Sequence, residues 1–358
     1  MREHLLRGQV IPAHPLALDS RRTLDERHQR ALTRYYVDAG AGGIAVGVHT
    51  TQFEIRDPRH GLYRPVLELA AEAAAERLAN APRPFVMVAG LAGDTSEAVA
   101  EADTARSVGY DIGLLSLGAW RGADEDSIVA HCRAVSDVIP LFGFYLQPAV
   151  GGRDLSYAFW RELAELPGLW AVKIAPFDRY RTIDVVRAMV SASREDVALY
   201  TGNDDSIVVD LLTPFPVESA GKTTARRIAG GLLGQWAVWT RHAVEMLDEI
   251  RAMREHSEEG NGRRGGGYGK SMDDWLGSAA VLTEANAAIF DAANGFAGCI
   301  AGIHEVLRRQ GLMRGIWCLD PAQGLSPGQS EEIDRVVRLH PELTDDAWVA
   351  ERLDDWLA

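Results

Sequence analysis

Lys173 lies in the middle of an apolar run, Gly168-Leu169-Trp170-Ala171-Val172-Lys173-Ile174-Ala175, with Pro167 before it and Pro176 after it. A run of this length between such punctuation reads as a buried strand. In a strand, Ala171, Lys173 and Ala175 share one face, and the β-branched Val172 and Ile174 share the other. The β-branched face suits packing against helices, and the small-residue face leaves room around one amine. An apolar cavity disfavours the ammonium form, so the pKa falls and free amine is present near neutral pH. Such an amine condenses with a carbonyl to give a Schiff base. The plainer reading is a strand-end lysine that reaches solvent. Tyr145 stands one unit earlier, near the end of Leu141-Phe142-Gly143-Phe144-Tyr145-Leu146. With Tyr145 on the inward face, a phenol would lie beside the amine and shuttle protons during carbinolamine formation and dehydration. Phe142, Phe144 and Leu146 then face the helices. Tyr145 as one more core aromatic is the alternative.

These residues need a frame that gathers strand ends. Apolar runs centred at about residues 87, 114, 143, 172 and 199 are spaced roughly 27 to 29 residues apart, the span of one β/α unit. Val10–Leu18 and Gly43–Val48 precede them, and Arg227–Leu232 follows as the weakest candidate strand. Alanine- and charge-rich segments between the runs read as helices. Seven or eight such units in succession predict an α/β fold of the (β/α)8 TIM-barrel type over residues 1–235. Glycine-rich dinucleotide fingerprints are missing after the first strand. From residue 236 to 358 the pattern turns helical and reads as an extension packed on the barrel, with Glu258–Gly267 as a polar, flexible connection. Residues 52–61 offer a loop over the barrel mouth. The segment from Thr213 to Thr224 fits no barrel element.

The chain has 358 residues, 47% of them hydrophobic and 25% charged, enough to bury a large core. Its formal net charge of -14 argues against nucleic acid or an anionic membrane as partner. Three cysteines without ligand or disulfide spacing fit a reducing compartment. With no apolar leader and no run of membrane-spanning length, a cytoplasmic location is expected.

Four segments, in order along the chain, make it resemble the dihydrodipicolinate synthase / N-acetylneuraminate lyase family of Schiff-base aldolases. Gly47-Val48-His49-Thr50-Thr51-Gln52 is similar to the family's carboxylate-binding turn. Tyr145-Leu146-Gln147-Pro148 resembles its Tyr-Asn-x-Pro segment, Val172-Lys173 its lysine strand, and Thr201-Gly202-Asn203-Asp204-Asp205 the following turn. The late stretch Ile303–Leu312 resembles a family helix. The resemblance implies Lys173 as the amine that captures pyruvate or a related 2-oxo acid, and Tyr145 as acid/base. It also implies Thr50 and Thr51, or His49 in place of one of them, at the substrate carboxylate, and Gly202 and Asn203 in the site. His49 alone reads equally as a hydrogen-bonded strand-end histidine. Departures are the run Leu117-Gly118-Ala119-Trp120, where the synthases have a tyrosine pair, and Arg153, displaced from the position of their substrate-binding arginine. These put dihydrodipicolinate synthase activity itself in doubt and leave the imine chemistry in place.

The function expected is a lyase or aldolase working through a lysine imine, with neither metal nor other cofactor. A sugar-acid dehydratase would use the same lysine, and a non-catalytic oxo-acid or sugar-binding barrel would not. A metal-dependent aldolase would need ligand clusters that the sequence does not show, since Glu54 and Asp57 read as loop charges. The resemblance and the apolar late helices imply a homo-oligomer, a dimer or a tetramer.

Overall fold

The computed structural model describes residues 1–219, 221–258 and 270–358. The glycine-rich stretch 259–269, expected as a connector, lies outside the described residues. The strands are β1 (Val10–Pro12), β2 (Gly43–Val46), β3 (Val86–Leu91), β4 (Ile112–Leu115), β5 (Leu141–Leu146), β6 (Leu169–Ala175), β7 (Ala198–Thr201), β8 (Phe215–Ser219), β9 (Lys222–Arg226) and β10 (Gly230–Leu233). The helices up to the last barrel strand are α1 (Arg2–Leu6), α2 (Glu26–Asp38), α3 (Tyr63–Asn80), α4 (Thr95–Ser107), α5 (Glu125–Ser136), α6 (Tyr157–Leu163), α7 (Arg179–Ser191) and α8 (Ile207–Leu212). After it come α9 (Thr240–Glu258), α10 (Met272–Ile289), α11 (Cys299–Arg309), α12 (Gln329–Leu339), α13 (Asp346–Ala350) and α14 (Leu353–Leu357). No described helix is long and apolar enough to cross a membrane.

Eight parallel strands form one sheet in the order β1-β10-β7-β6-β5-β4-β3-β2. A single parallel bridge, Ala13 to Ala45, brings β1 against β2 and all but closes the ring. This is a (β/α)8 barrel with C-terminal helices. Its regularity starts locally. Asp25, Asp94, Asp124, Ser156 and Asp178 each accept a backbone N–H at a helix start, which satisfies donors the helix leaves open. Helix α2 is therefore capped by Asp25, and Asp19 closes a separate turn by accepting from the Thr23 amide and hydroxyl. In and just after the unassigned 213–224 segment, β8 pairs antiparallel with β9 in a sheet apart from the barrel.

Side chains divide into two apolar sets. Val172 and Ile174 belong to the large layer between strands and helices, and Ala171 and Ala175 belong to the smaller cluster inside the ring. Strand β5 reverses the expected assignment. Phe142 and Phe144 join the inner cluster, and Tyr145 joins the outer one. The pairing of β5 with β6 shifts register between Leu141 and Phe142, so that Phe144 pairs with Lys173 and Tyr145 with Ile174. Because side chains alternate along a strand, the face of one residue determines that of all the rest.

The C-terminal helices are anchored on α2. The Tyr35 hydroxyl donates to Asp345 at 2.8 Å, the Trp356 indole donates to Asp38 at 2.8 Å, and the Trp356 and Tyr35 rings meet at 5.4 Å. Helix α10 grips the loop after β7: Asn286 donates to the carbonyl of Asp204 at 2.7 Å and Thr283 to that of Asp205 at 2.9 Å. Trp356→Ala removes a fully buried indole and is expected to cost about 3–5 kcal/mol of stability. Urea unfolding should show this as a lowered midpoint, with Trp356→Phe losing less.

Candidate active site

The C-terminal ends of the strands open into two connected spaces. The inner one is a chamber of ≈ 90 Å³ that includes Lys173, His49, Thr50, Gly202 and Asp204 in its lining. The outer one is a vestibule of ≈ 440 Å³ reached past His49, Leu146 and Val150, which line both. Lys173 leaves the middle of β6 on the same face as Ala171 and Ala175, as its sequence context implies. Its Nζ lies 4.6 Å from the centroid of the Phe144 ring. Small residues make this space. A Cβ at Gly202 would come within 2.6 Å of Lys173 Cε and 2.8 Å of the Ala175 Cβ, so glycine at 202 lets the lysine stem pass.

Burial lowers the Lys173 amine to about 8, and the nearby Asp204 carboxylate works in the opposite direction. Asp204 is the mirror case: burial raises its carboxyl to about 7, against the pull of Lys173. The two interact without a direct ion pair, so neither charge is fully compensated. Asp204 Oδ1 is buried with no protein partner. His49 completes the polar part of the chamber. Burial first, and Lys173 second, hold its imidazole down at about 4, so it is neutral at pH 7.

Of the residues singled out in the sequence, Lys173, His49, Thr50 and Gly202 line one chamber. Thr51 and Asn203 sit beside it as scaffold. The Thr51 hydroxyl donates to the His14 carbonyl at 2.7 Å and accepts the Gly47 amide at 3.0 Å, which closes the turn after β2. Asn203 accepts the Phe177 amide at 3.0 Å and donates to Asp210 at 2.9 Å. Tyr145 is not brought to Lys173. Its ring packs on Trp160 at 5.4 Å, and its hydroxyl donates to the Leu155 carbonyl at 3.3 Å and accepts the Leu155 amide at 3.2 Å. The inward orientation expected of it is therefore corrected to an outward one, with Phe144 in the inward place. Arg153 is likewise occupied elsewhere, donating to the carbonyls of Trp120 and Ala123 at 2.7 and 2.8 Å.

Sequence reasoning passed over Asp204 and the vestibule arginines. Asp204 was legible as part of the turn Thr201–Asp205, but nothing local distinguishes it from Asn203. In the vestibule, Arg56 is held by Glu101 at 2.7 Å and by the carbonyls of Gly47 and Gly90, and its Nη1 is buried without a partner. Arg121 borders the same space, with its Nε donating to Gly151 at 3.1 Å. Among the described residues no group of three or more His, Cys, Asp or Glu side chains is placed to hold a metal ion.

No family model matches the chain. Curated relatives do. The 4-hydroxy-tetrahydrodipicolinate synthase of Thiobacillus denitrificans is 28% identical over 209 residues, covering 58% of this chain and 66% of that protein. The N-acetylneuraminate lyase of Citrobacter koseri is 27% identical over 210 residues, again 58% and 66%. The chain thus spans just under two thirds of the length of these relatives. Among solved structures, the dihydrodipicolinate synthase from Acinetobacter baumannii complexed with pyruvate superposes with a TM-score of 0.71 at 17% identity, over 92% of this chain and 98% of that one. The N-acetylneuraminate lyase from Fusobacterium nucleatum gives 0.70 at 16%, over 95% and 100%. At such identity the structural likeness speaks for the fold, and the sequence matches carry the kinship. Together these findings make the chain similar in sequence to 4-hydroxy-tetrahydrodipicolinate synthases and to an N-acetylneuraminate lyase, and alike in fold to solved proteins of both kinds.

Proposed function

We propose that the chain is a Schiff-base-forming lyase or aldolase that acts on pyruvate or a related 2-oxo acid through Lys173. The observation that carries this reading is a primary amine in a small chamber, lowered towards neutrality, beside a carboxyl raised to meet it. In the form where Asp204 holds the proton, Lys173 is a free nucleophile. Its nitrogen attacks the 2-oxo carbon, and the carbonyl oxygen takes up a proton to give the carbinolamine. Loss of water then leaves a protonated imine. That positive nitrogen accepts the electron pair of a breaking C–C bond, or of a departing proton, at the neighbouring carbon. The imine itself is the electron sink, so the proposal requires no further cofactor.

Asp204 is the proton carrier in this reading, the role the sequence resemblance implied for Tyr145. Its carboxyl is matched to proton transfer near neutral pH, and Asp204 lines the chamber that holds Lys173. The opening amides of the 3-10 turn His49–Thr51 suit the substrate carboxylate, because the first amides of such a turn have no acceptor within it; Thr50, whose hydroxyl donates to the His14 carbonyl at 3.3 Å, lines the chamber beside them. The chamber of ≈ 90 Å³ suits a small head such as the 2-oxo acid, with the larger vestibule left for the rest of the molecule.

Borohydride added with pyruvate should leave a stable adduct whose mass equals one pyruvate less one oxygen atom. Peptide mapping should place it on Lys173, and Lys173→Ala should show none. A wild-type protein that stays unlabelled would sink the reading in favour of a non-catalytic barrel. The rate of trapping should rise with pH through about 8, where the Lys173 amine loses its proton. Asp204→Asn removes the negative charge that favours the ammonium, so the rise should move to lower pH. Turnover should fall by about 10²–10⁴-fold through loss of the proton carrier. A rise moved to higher pH would contradict the assignment.

A further inference from the structure

Once Lys173 is joined to a 2-oxo acid it can no longer serve as a base, so a proton on the carbon beside the imine must go to another group. The chamber offers few. Much of its wall is apolar, and the Phe177 and Phe296 rings close part of it, meeting edge to face at 6.1 Å. Among the described residues, the titratable side chains lining it besides Lys173 are His49, Asp204 and Cys299. Burial, with Asp204 and Asp291 nearby, pushes the Cys299 thiol up, so it keeps its proton. Asp204 serves the carbinolamine steps. That leaves His49, which alone of these groups also lines the vestibule. No described residue hydrogen bonds to its ring nitrogens, and the ring is close enough to Lys173 to feel its charge. The turn beneath it is fixed. The Thr51 amide donates to the Val48 carbonyl and the Gln52 amide to the His49 carbonyl, both at 2.9 Å. Gln52 Oε1 in turn accepts the Leu319 amide at 2.6 Å, which ties the turn to the C-terminal region. The Phe53 ring lies beside the imidazole, with centroids 6.2 Å apart.

We infer that His49 is a second catalytic residue, the base that takes the C3 proton of the pyruvate imine and passes it to the oxygen of an aldehyde held in the vestibule. This rests on the Schiff-base reading above. Burial and Lys173 keep the imidazole neutral at pH 7, the form that accepts a proton. As it takes the proton from C3, the C–H electron pair moves into the C2–C3 bond and the imine π pair moves onto nitrogen, which gives an enamine. The enamine carbon attacks the aldehyde, and the new alkoxide oxygen takes the proton from the imidazolium. Water then hydrolyses the imine and restores the amine. In the cleavage direction the imidazole takes the hydroxyl proton, the C–C bond breaks towards the imine, and the imidazolium returns its proton to C3. One group serves both carbons because it stands where the chamber and the vestibule meet. A substrate carboxylate at the amides of the same turn puts negative charge beside the ring and eases formation of the imidazolium.

The test follows, on the full chain, two readouts with pyruvate alone: loss of the methyl proton signal in deuterium oxide by NMR, and borohydride trapping. The wild-type protein should show both. His49→Gln should still be trapped on Lys173, while methyl exchange falls by about 10²–10⁴-fold. Should that variant not fold, His49→Ala with added imidazole decides, since restored exchange marks a missing base and a merely structural histidine would give none. Unrestored exchange there overturns the assignment. So does exchange at the wild-type rate in His49→Gln, or an equal loss of trapping and exchange in it, or a wild-type protein that is trapped without exchanging. Each of these leaves the Schiff base standing. Absence of trapping in the wild-type protein removes the Schiff-base reading and this inference with it.

Discussion

The site depends on an amine kept in apolar surroundings without a direct counter-ion. Lys173 has a ring face on one side and a carboxylate close enough to interact but not to pair. A full ion pair would hold the ammonium and suppress nucleophilicity, and complete isolation would make the charged form too costly to carry through folding. Burial draws both groups towards neutrality, and their mutual attraction opposes it. Gly202 belongs to this balance, because any side chain there would displace the lysine stem.

Neither partner of that balance is placed by the barrel alone. The Asp204 loop is held from outside by Asn286 and Thr283 of α10. Phe290 and Phe296 reach the chamber from the end of α10 and the loop beyond it, and Ile303 reaches it from α11. The C-terminal helices are thus part of the site. They are tied to the barrel through Tyr35, Asp345 and Trp356 at some remove from the chemistry. A barrel cut off after its last strand would keep the lysine and lose much of the wall around it.

Strand β5 shows how a local pattern can mislead. Its six residues, Leu-Phe-Gly-Phe-Tyr-Leu, are apolar or aromatic on both faces, so alternation says which residues go together but not which set faces the ring. The resemblance to Tyr-Asn-x-Pro pulled the reading towards Tyr145. The choice is made by contacts distant in sequence: Trp160 and Leu155 accommodate the phenol on the helix side, and the shifted pairing with β6 sets Phe144 against Lys173. Strand β6 carried the opposite lesson. Its β-branched and small residues differ enough in size that inside and outside were legible from types alone.

The sequence by itself determined the periodic β/α plan, the helical C-terminal region, and Lys173 as the group to watch, because spacing, caps and side-chain size are local properties. The resemblance pointed to the turn after β2 and the turn after β7, and members of both line the chamber, though it did not say which. Tertiary structure decided that Asp204 and not Tyr145 accompanies the amine, that Thr51 and Asn203 serve as scaffold, and that Phe177 and Phe296 meet. Those outcomes rest on register between strands and on loops fastened by residues far along the chain. No local pattern encodes such pairings, since their free energy exists only once the ring has closed and the late helices have docked.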